Sequence, residues 1–269
     1  MPRDPNPESR TVSRRAFLAT AGAGAGALLS ACRDATAPDS RYPTARLSSR
    51  RRNPYVTPAP GLSQLSLRDS FTSRDGLLYL PSGYSVKTQS PLIVALHGAG
   101  GSGYSWTSPA WLALLDEFNT VMIAPDSRSF ATWDLLEGGD YGADVRFIDD
   151  ALAEAFRQVN VDASRIALVG FSDGASEALG LGLLNGDLFN GVVAFSPGLF
   201  VAPFARGRTH VFVSHGTTDT VLSYDQDKNV LVPAIQALGV PVQFNSFVGG
   251  HVVPGDIARA GLYYALAVK

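Results

Sequence analysis

From about residue 90 to the end of the chain, short apolar runs alternate with longer segments whose hydrophobic residues recur every three or four positions. Such runs are typical of strands buried on both faces of a parallel sheet, and the segments between them indicate covering helices. The pattern predicts an α/β domain with a mostly parallel sheet and helices on both faces. The predicted strands are Leu92–Leu96, Val121–Ala124, Ile166–Val169, Val192–Phe195, Val211–Ser214 and Val242–Phe247.

Two further elements are predicted around this sheet. Leu67–Phe71 and Leu77–Leu80 flank Asp75-Gly76, a dipeptide favoured in tight turns, and predict an opening antiparallel hairpin. The segment from Asp144 to about Gln158 carries apolar residues at helical spacing and predicts an amphipathic helix. The connections between predicted elements are short, so no large cap domain is expected.

Candidate chemistry is concentrated in Gly170-Phe171-Ser172-Asp173-Gly174, between the strand Ile166–Val169 and an alanine- and leucine-rich segment at 175–184. A G-x-S-x-G sequence between a strand and a helix is typical of a strained turn that exposes its serine above the sheet. Glycine is required on both sides because side chains there crowd the helix against the strand. We therefore predict that Ser172 is a nucleophile.

A serine hydroxyl needs a base to accept its proton, and the chain has four histidines. His251 lies on a loop after the last predicted strand, where Gly249-Gly250 gives it freedom to approach the serine, and we predict that it is the base. The other three, which lie earlier in the chain or on other elements, are His97, His210 and His215.

The base needs a carboxylate that holds its imidazole in the right tautomer. Asp219 lies in the turn after the strand Val211–Ser214, between the candidate nucleophile and the candidate base along the chain. Asp225 and Asp227 compete for this role, although their place further into a polar segment favours solvated loop acids. We predict that Asp219 orients His251.

Negative charge on an attacked carbonyl oxygen needs backbone donors. The glycine-rich turn at 97–101 and the start of the helix after the nucleophile predict these donors as the amides of Ala99 and Asp173. A phosphate cradle is excluded, since neither Gly-Lys-Ser/Thr nor a long G-x-G-x-x-G opens a helix here. No His, Cys and carboxylate cluster has metal-ligand spacing, so neither a metal nor a cofactor is expected.

Four segments together resemble the motif set of α/β-hydrolase fold esterases, and the resemblance covers roughly residues 65–269. The nearest groups are the carboxylesterase/phospholipase group and the polyhydroxybutyrate-depolymerase-like or feruloyl-esterase-like group, in which a helix is similar to 144–150. The resemblance implies a Ser-Asp-His triad that cleaves carboxylic esters through an acyl-enzyme. Asp173 departs from the Gln, Met or Asn of many relatives and leaves the substrate class open. The four segments are 96–101, 170–174, 214–219 and 249–251.

Two other functions stay open. One is a peptidase or lactone hydrolase on the same scaffold, and the other is a surface binding protein of this fold without catalysis. In either case ligands are expected at the carboxyl edge of the sheet. Four aromatic residues in loops at that edge are candidates for contact with a small-molecule or polymeric ester, or for packing over the sheet: Tyr104, Trp106, Trp133 and Tyr141.

The front of the chain has a different character. The segment 13–18 resembles a twin-arginine export signal, and the uncharged stretch at 16–30 is too short for a membrane span. Leu29-Ser30-Ala31-Cys32 resembles a lipoprotein box, in which the cysteine becomes the lipidated first residue. We predict a signal peptide at 1–31 and an anchor at Cys32 on the periplasmic or extracellular face of the cell envelope; an ordinary cleavage site is the alternative. Cys32 is the only cysteine, so no internal disulfide can form.

Residues 32–60 are rich in Pro, Ser, Thr, Ala and Arg and predict a disordered tether before a catalytic domain at 61–269. The net charge of −2 hides a split, since 33–52 has six arginines and two aspartates whereas the rest from Asn53 has 12 basic and 20 acidic residues. The basic tether is expected to support an anchor on anionic lipid, or to be a solvated spacer. It is short and lacks interleaved aromatics, so no nucleic-acid partner is expected.

Overall fold

The computed structural model describes residues 43–54, 58–67 and 72–267. The signal peptide, Cys32 and the front of the tether lie outside the described residues, so those predictions stay predictions. Within the described part, eight strands form one sheet with the order β1-β2-β4-β3-β5-β6-β7-β8. The strands are β1 (Gly61–Gln64), β2 (Gly76–Leu80), β3 (Ser90–Leu96), β4 (Val121–Pro125), β5 (Val161–Phe171), β6 (Gly191–Phe195), β7 (His210–Gly216) and β8 (Val242–Phe247).

Six neighbouring strands, β3 to β8, pair in parallel, and β1 and β2 add antiparallel pairings at one edge. The predicted fold class is therefore confirmed. Between β7 and β8 the helical segment includes a π-helical stretch, Asp227–Leu231. The helices are α1 (Pro109–Glu117), α2 (Asp134–Gly138), α3 (Ala143–Gln158), α4 (Asp173–Leu184), α5 (Tyr224–Gln226), α6 (Val232–Ala237) and α7 (Gly255–Leu266).

Alternate residues of the central strands face opposite layers of helices. In β3, Leu92, Val94 and Leu96 pack in the cluster that includes α3, α4 and α6. Ile93 and Ala95 of the same strand pack with α1 and α7. Because successive side chains of a strand point to opposite faces, a strand buried on both sides must be apolar throughout, as the sequence of β3 is. This packing places the carboxyl ends of β5, β7 and β8 along one edge.

The predicted opening hairpin is wrong in its first strand. The strand that pairs with β2 is Gly61–Gln64, and Leu67 lies outside any strand, while 68–71 lie outside the described residues. The physical reason is the side chain of Asp75, which accepts hydrogen bonds from the amides of Ser66 and Leu67, each at 2.9 Å. These bonds hold the chain in a loop where a tight turn at Asp75-Gly76 was expected.

The expected disorder of the tether does not hold for the segment 45–51, which we call the strap. Ala45 and Leu47 are buried in the core, with 1% and 0% of their surfaces exposed. Arg46 pairs with Asp187 and donates to Asn185 at 2.8 Å. Three arginines of the tether bond to the domain: Arg46 and Arg50 pair with Asp187, and Arg51 donates to the Val161 carbonyl and to Asn160. These arginines are therefore less available to a lipid surface.

Truncating the strap's apolar anchor is expected to destabilise the whole domain. Leu47→Ala removes a side chain without exposed surface from the core and should lower the free energy of unfolding by about 2–5 kcal/mol. Urea denaturation measures this loss. Leu62→Ala is the control, because Leu62 is 43% exposed on β1 and its truncation should change stability by less than about 0.5 kcal/mol. Equal stabilities for the two variants would show that the strap does not pack on the domain.

A buried carboxyl group lies one turn into α4. Glu177 has no exposed surface, and in the described part of the chain neither carboxylate oxygen has a partner at ordinary hydrogen-bond geometry, although the Leu135 amide is near enough to favour the charged form. Burial raises the pKa of Glu177 well above its ordinary value, and the charges of Asp144 and Asp134 act in the same direction. The folded chain therefore holds a proton on Glu177 at pH values where the unfolded chain has lost it.

This proton makes stability depend on pH in a defined direction. As pH rises above the ordinary value of 4.5, the contribution of Glu177 to stability should fall by about 1.4 kcal/mol per pH unit until the folded carboxyl ionises. Glu177→Gln keeps the shape and removes the titration. We expect wild-type unfolding free energy to fall between pH 5 and 7 relative to this variant, whereas the exposed control Glu137→Gln should run parallel to wild type. Parallel curves for all three proteins would contradict the prediction.

Candidate active site

Ser172 occupies the turn between β5 and α4 with φ 56° and ψ −122°, a backbone conformation that side chains rarely adopt. Its amide donates to the Phe195 carbonyl of β6 at 2.9 Å, which fixes the turn against the sheet. A Cβ at Gly170 would lie 2.1 Å from the Gly174 carbonyl oxygen, and one at Gly174 would lie 2.3 Å from that of Leu96. The two glycines are therefore required by the close approach of helix and strand.

The two predicted oxyanion donors lie beside this serine. Asp173 is the first residue of α4, where an amide has no acceptor within its own helix. Ala99 lies on the exposed turn after β3, and the turn contacts the nucleophile, since a Cβ at Gly98 would be 3.3 Å from Ser172 Cβ. The Asp173 carboxylate is directed to Thr132, whose hydroxyl donates to it at 2.6 Å. The assignment of Ala99 and Asp173 stays a prediction.

His97 supports the glycine-rich turn, a role that sequence reasoning missed. Its Nδ1 lies 2.8 Å from the Gly98 carbonyl oxygen, and its Nε2 accepts from the Ser127 amide at 3.0 Å, so the ring is neutral with its proton on Nδ1. Burial lowers the pKa of His97. Arg74 donates to the Gly101 carbonyl at 2.7 Å and fixes the far side of the turn. The position of His97 at the start of the glycine-rich turn, directly before Gly98, was the available signal.

Asp219 and His251 are brought together by the adjacent strands β7 and β8. His251 Nδ1 lies 2.6 Å from Asp219 Oδ2, and the Thr218 amide donates to the Gly249 carbonyl at 3.0 Å. The side chain of Asp219 has no exposed surface. Burial by itself raises the pKa of Asp219, but the amides of Leu222 and Val221 and the bond from His251 outweigh it and hold the pKa below its ordinary value. The carboxylate therefore stays ionised beside the imidazole.

The imidazole of His251 packs against the turn that bears the candidate nucleophile. Its ring lies 4.7 Å from the ring of Phe171, the residue before Ser172. Nε2 is buried without a hydrogen-bond partner among the described residues, and no bond to the Ser172 hydroxyl is made in this structure. Catalytic hydrogen bonds are often long in enzymes without substrate. Nε2 is thus free to accept a proton.

Asp227 was interpreted as a solvated loop acid, and this interpretation is wrong. Its side chain has no exposed surface, and Oδ2 lies 2.6 Å from Nδ1 of His215, which is buried as well. The π-helical turn that begins at Asp227 directs it inward, which no local pattern indicates. Asp225 is exposed, as expected of a loop acid.

The four candidate substrate residues divide into two pairs. Trp133 is wholly buried and donates from Nε1 to the His97 carbonyl at 2.8 Å, and Tyr141 is 2% exposed with its hydroxyl on the Val201 carbonyl. Trp133 and Tyr141 therefore pack and bond within the protein, which is the second of the two roles expected for them. Tyr104 is 58% exposed, and its hydroxyl accepts from a glutamine of β1.

Trp106 lines a groove of about 1100 Å³ between α1 and α7. The groove also reaches Gly98 and Phe171, which adjoin Ser172 on two sides. The indole N–H of Trp106 is buried without an acceptor among the described residues. The other walls of the groove are mainly apolar and include Trp111, Leu114, Phe118, Val253 and Tyr263. An apolar pocket with few polar groups beside a reactive side chain is typical of a small-molecule site.

The described residues contain neither a metal-binding cluster nor a membrane-spanning helix. In residues 43–54, 58–67 and 72–267, no three His, Cys, Asp or Glu side chains are arranged to hold a metal ion. None of the helices described there combines the length and the apolar character needed to cross a bilayer.

Residues 93–256 match the model of the alpha/beta hydrolase family. The chain belongs to this family, which confirms the resemblance found in its motifs. The match includes Ser172, Asp219 and His251, the three side chains that the fold brings to one edge of the sheet.

Two curated proteins and a solved structure are among the proteins similar to this chain. A bifunctional acetylxylan esterase/xylanase of Neocallimastix patriciarum is 28% identical over 170 residues, 61% of this chain and 24% of that protein. The chain thus spans about a quarter of that relative's length. Acyl-protein thioesterase 1 of Neurospora crassa is 26% identical over 205 residues, 62% of this chain and 82% of its own. A ferulic acid esterase structure from Anaeromyces mucronatus has the same fold, with a TM-score of 0.57, 18% identity and coverage of 81% and 97%.

Proposed function

We propose that this protein is a serine hydrolase that cleaves carboxylic esters through an acyl-enzyme. The observation that carries the proposal is the pair formed by Asp219 and His251, 2.6 Å apart. The imidazole has an unpartnered Nε2 among the described residues, and its ring packs on Phe171, the residue before Ser172. A strained serine, an imidazole and a buried carboxylate in this arrangement have the roles of nucleophile, base and orienting acid.

In the proposed first step, Ser172 Oγ forms a bond to the ester carbonyl carbon while its proton passes to His251 Nε2. The negative charge on the carbonyl oxygen is stabilised by the amides of Ala99 and Asp173. The carbon–oxygen bond to the alcohol then breaks, and the alcohol leaves with the proton from His251. Water repeats the sequence on the acyl-enzyme and releases the acid.

The names of the relatives support ester chemistry, since one is an acetylxylan esterase and another an acyl-protein thioesterase. The groove between α1 and α7 supports an apolar acyl or aryl group on the substrate, because Trp106 and Phe171 in its lining connect it to the nucleophile's turn. A small or polymeric ester fits this arrangement.

A panel of p-nitrophenyl esters of increasing acyl length, a feruloyl ester, a lactone and a peptide anilide tests the reaction class. We expect turnover of the esters, and a fluorophosphonate probe should label the protein at Ser172. Turnover of the lactone or anilide alone would favour the two other hydrolases. A folded protein that neither turns over the panel nor takes the probe would be a binding protein without catalysis.

We further propose that the enzyme is exported by the twin-arginine route and lipid-anchored at Cys32, on the strength of the segment 13–18 and the box that ends at this cysteine. Labelled palmitate should be incorporated into the protein in a bacterial host with a lipoprotein pathway. Cys32→Ala should abolish incorporation and move the protein from the membrane fraction to the soluble fraction. Equal labelling of both forms would contradict the anchor, and export without labelling would indicate an ordinary cleavage site.

A further inference from the structure

A second imidazole lies behind the catalytic carboxylate. His215, at the end of β7, has no exposed side-chain surface. Its Nδ1 lies 2.6 Å from Asp227 Oδ2, and its Nε2 lies 3.2 Å from both the Leu222 carbonyl oxygen and Asp219 Oδ2. Two further titratable groups lie near the ring: Tyr224, at 6.2 Å between ring centroids, and His251, whose Nδ1 contacts the same Asp219 oxygen.

The hydrogen-bond partners of His215 define its charge. An ionised Asp227 and the Leu222 carbonyl oxygen can only accept, so both ring nitrogens that face them carry protons and the ring is an imidazolium. Burial raises the pKa of Asp227, although the bond from His215 and its charge act in the opposite direction. Burial also opposes the charge of the ring, but the bond to Asp227 and the negative charges of Asp227 and Asp219 outweigh it and raise the pKa of His215. A positive charge therefore lies between two buried carboxylates.

Asp219 is held on all sides as a result. Its Oδ1 accepts from the amides of Val221 and Leu222 at 2.8 and 3.0 Å. Its Oδ2 accepts from His251 at 2.6 Å and has the His215 ring 3.2 Å away. The carboxylate cannot rotate without breaking several of these contacts, and rigid support of this kind keeps a catalytic group in its productive geometry.

We propose that His215 and Asp227 are positioning residues of the active site, which extend the triad to the ordered chain Asp227–His215–Asp219–His251–Ser172. This inference rests on the proposed ester hydrolysis. The cationic ring fixes the side chain of Asp219 and offsets part of its negative charge as felt by His251. Without that positive charge, His251 would hold its proton more tightly and serve as a base only at higher pH.

The pH dependence of kcat/KM tests this role. On its acid side, kcat/KM rises with pH as the base of the free enzyme loses its proton, and we call this rise the acid limb. In the double variant His215→Gln/Asp227→Asn, which keeps a neutral hydrogen-bonded pair, we expect the acid limb to move to higher pH by roughly 0.5–1 unit. Asp227→Asn alone should move it in the same direction, because His215 then loses the partner that favours its charge. A fall in kcat with an unmoved acid limb in both variants would show that the two residues only pack, and would overturn the proposal.

His210→Gln is the matched control. His210 begins the same strand, is buried and contacts the Tyr264 carbonyl, but it has no contact with Asp219. This variant should leave the acid limb in place. Circular dichroism and thermal melting of every variant separate a shifted limb from partial unfolding.

A second measurement does not depend on activity or on any destabilising change. The chain has only four histidines, so nitrogen-15 NMR of histidine-labelled protein, with the His210→Gln variant for assignment, resolves each ring. We expect both nitrogens of His215 to stay protonated to higher pH than those of an imidazole in water, because the pKa of His215 is raised. A His215 that loses its proton at or below the ordinary imidazole pKa would overturn the proposal even if Ser172 proves to be the nucleophile. A protein that has a cationic His215 but does not hydrolyse esters would instead refute the proposed function and the role derived from it.

Discussion

Ser172→Ala is expected to abolish ester hydrolysis while the fold survives, with kcat reduced on the order of 10,000-fold or more. The reason is that the proposed acyl-enzyme needs an oxygen on this side chain, and no neighbouring hydroxyl has the same relation to His251. Alanine preserves the backbone donors at the turn, so residual turnover above the background rate would come from substrate binding and the oxyanion donors. Initial rates with p-nitrophenyl acetate or butyrate, together with fluorophosphonate labelling, measure the change.

Ser196→Ala is the matched control for this experiment. Ser196 also has a positive φ, 50°, and follows the neighbouring strand β6, so its replacement removes a hydroxyl from a comparable turn. Because the Ser196 hydroxyl makes no hydrogen bond to His251 or Asp219 among the described residues, its variant should keep most of the activity and all of the probe labelling. Undiminished turnover by Ser172→Ala would refute the nucleophile assignment, whatever the control does.

Asp219→Asn should reduce kcat by roughly 1,000- to 10,000-fold with little change in stability. An amide in this position can donate to His251 Nδ1 and thereby stabilise the tautomer whose proton lies on Nε2, where it cannot accept the serine's proton. It also removes the negative charge that stabilises the imidazolium formed during attack. Steady-state kinetics between pH 6 and 9 measure the loss, and higher pH should restore little of it.

Asp225→Asn and Asp227→Asn complete the comparison, because the sequence left all three aspartates open. Asp225 is exposed, and its variant should change kcat/KM by less than about twofold. Asp227→Asn should have an intermediate effect, since Asp227 acts on Asp219 only through His215. An active Asp219→Asn variant beside an inactive Asp227→Asn variant would assign the orienting role to Asp227 instead.

The separation of interacting residues along the chain explains which structural features could be predicted from the sequence. The strands Leu92–Leu96 and Val121–Ala124 were predicted from runs of apolar residues, and the structure has both strands within two residues of these positions. The G-x-S-x-G turn was predictable for the same reason, because the crowding that requires its glycines arises within five residues. The first strand of the hairpin was misplaced since the Asp75 side chain competes with the expected turn through bonds eight and nine residues away.

The sequence by itself determined the layered fold, the strained serine and the chain order of the proposed nucleophile, acid and base, because each depends on periodicity or on neighbouring residues. Only the tertiary structure decided that Trp133 is buried, that the strap packs on α3 and α4, and that Asp227 pairs with His215 behind Asp219. These facts depend on contacts between residues that are 12 to more than 100 positions apart or on a π-helical turn, and a local pattern of polar and apolar positions carries no information about either.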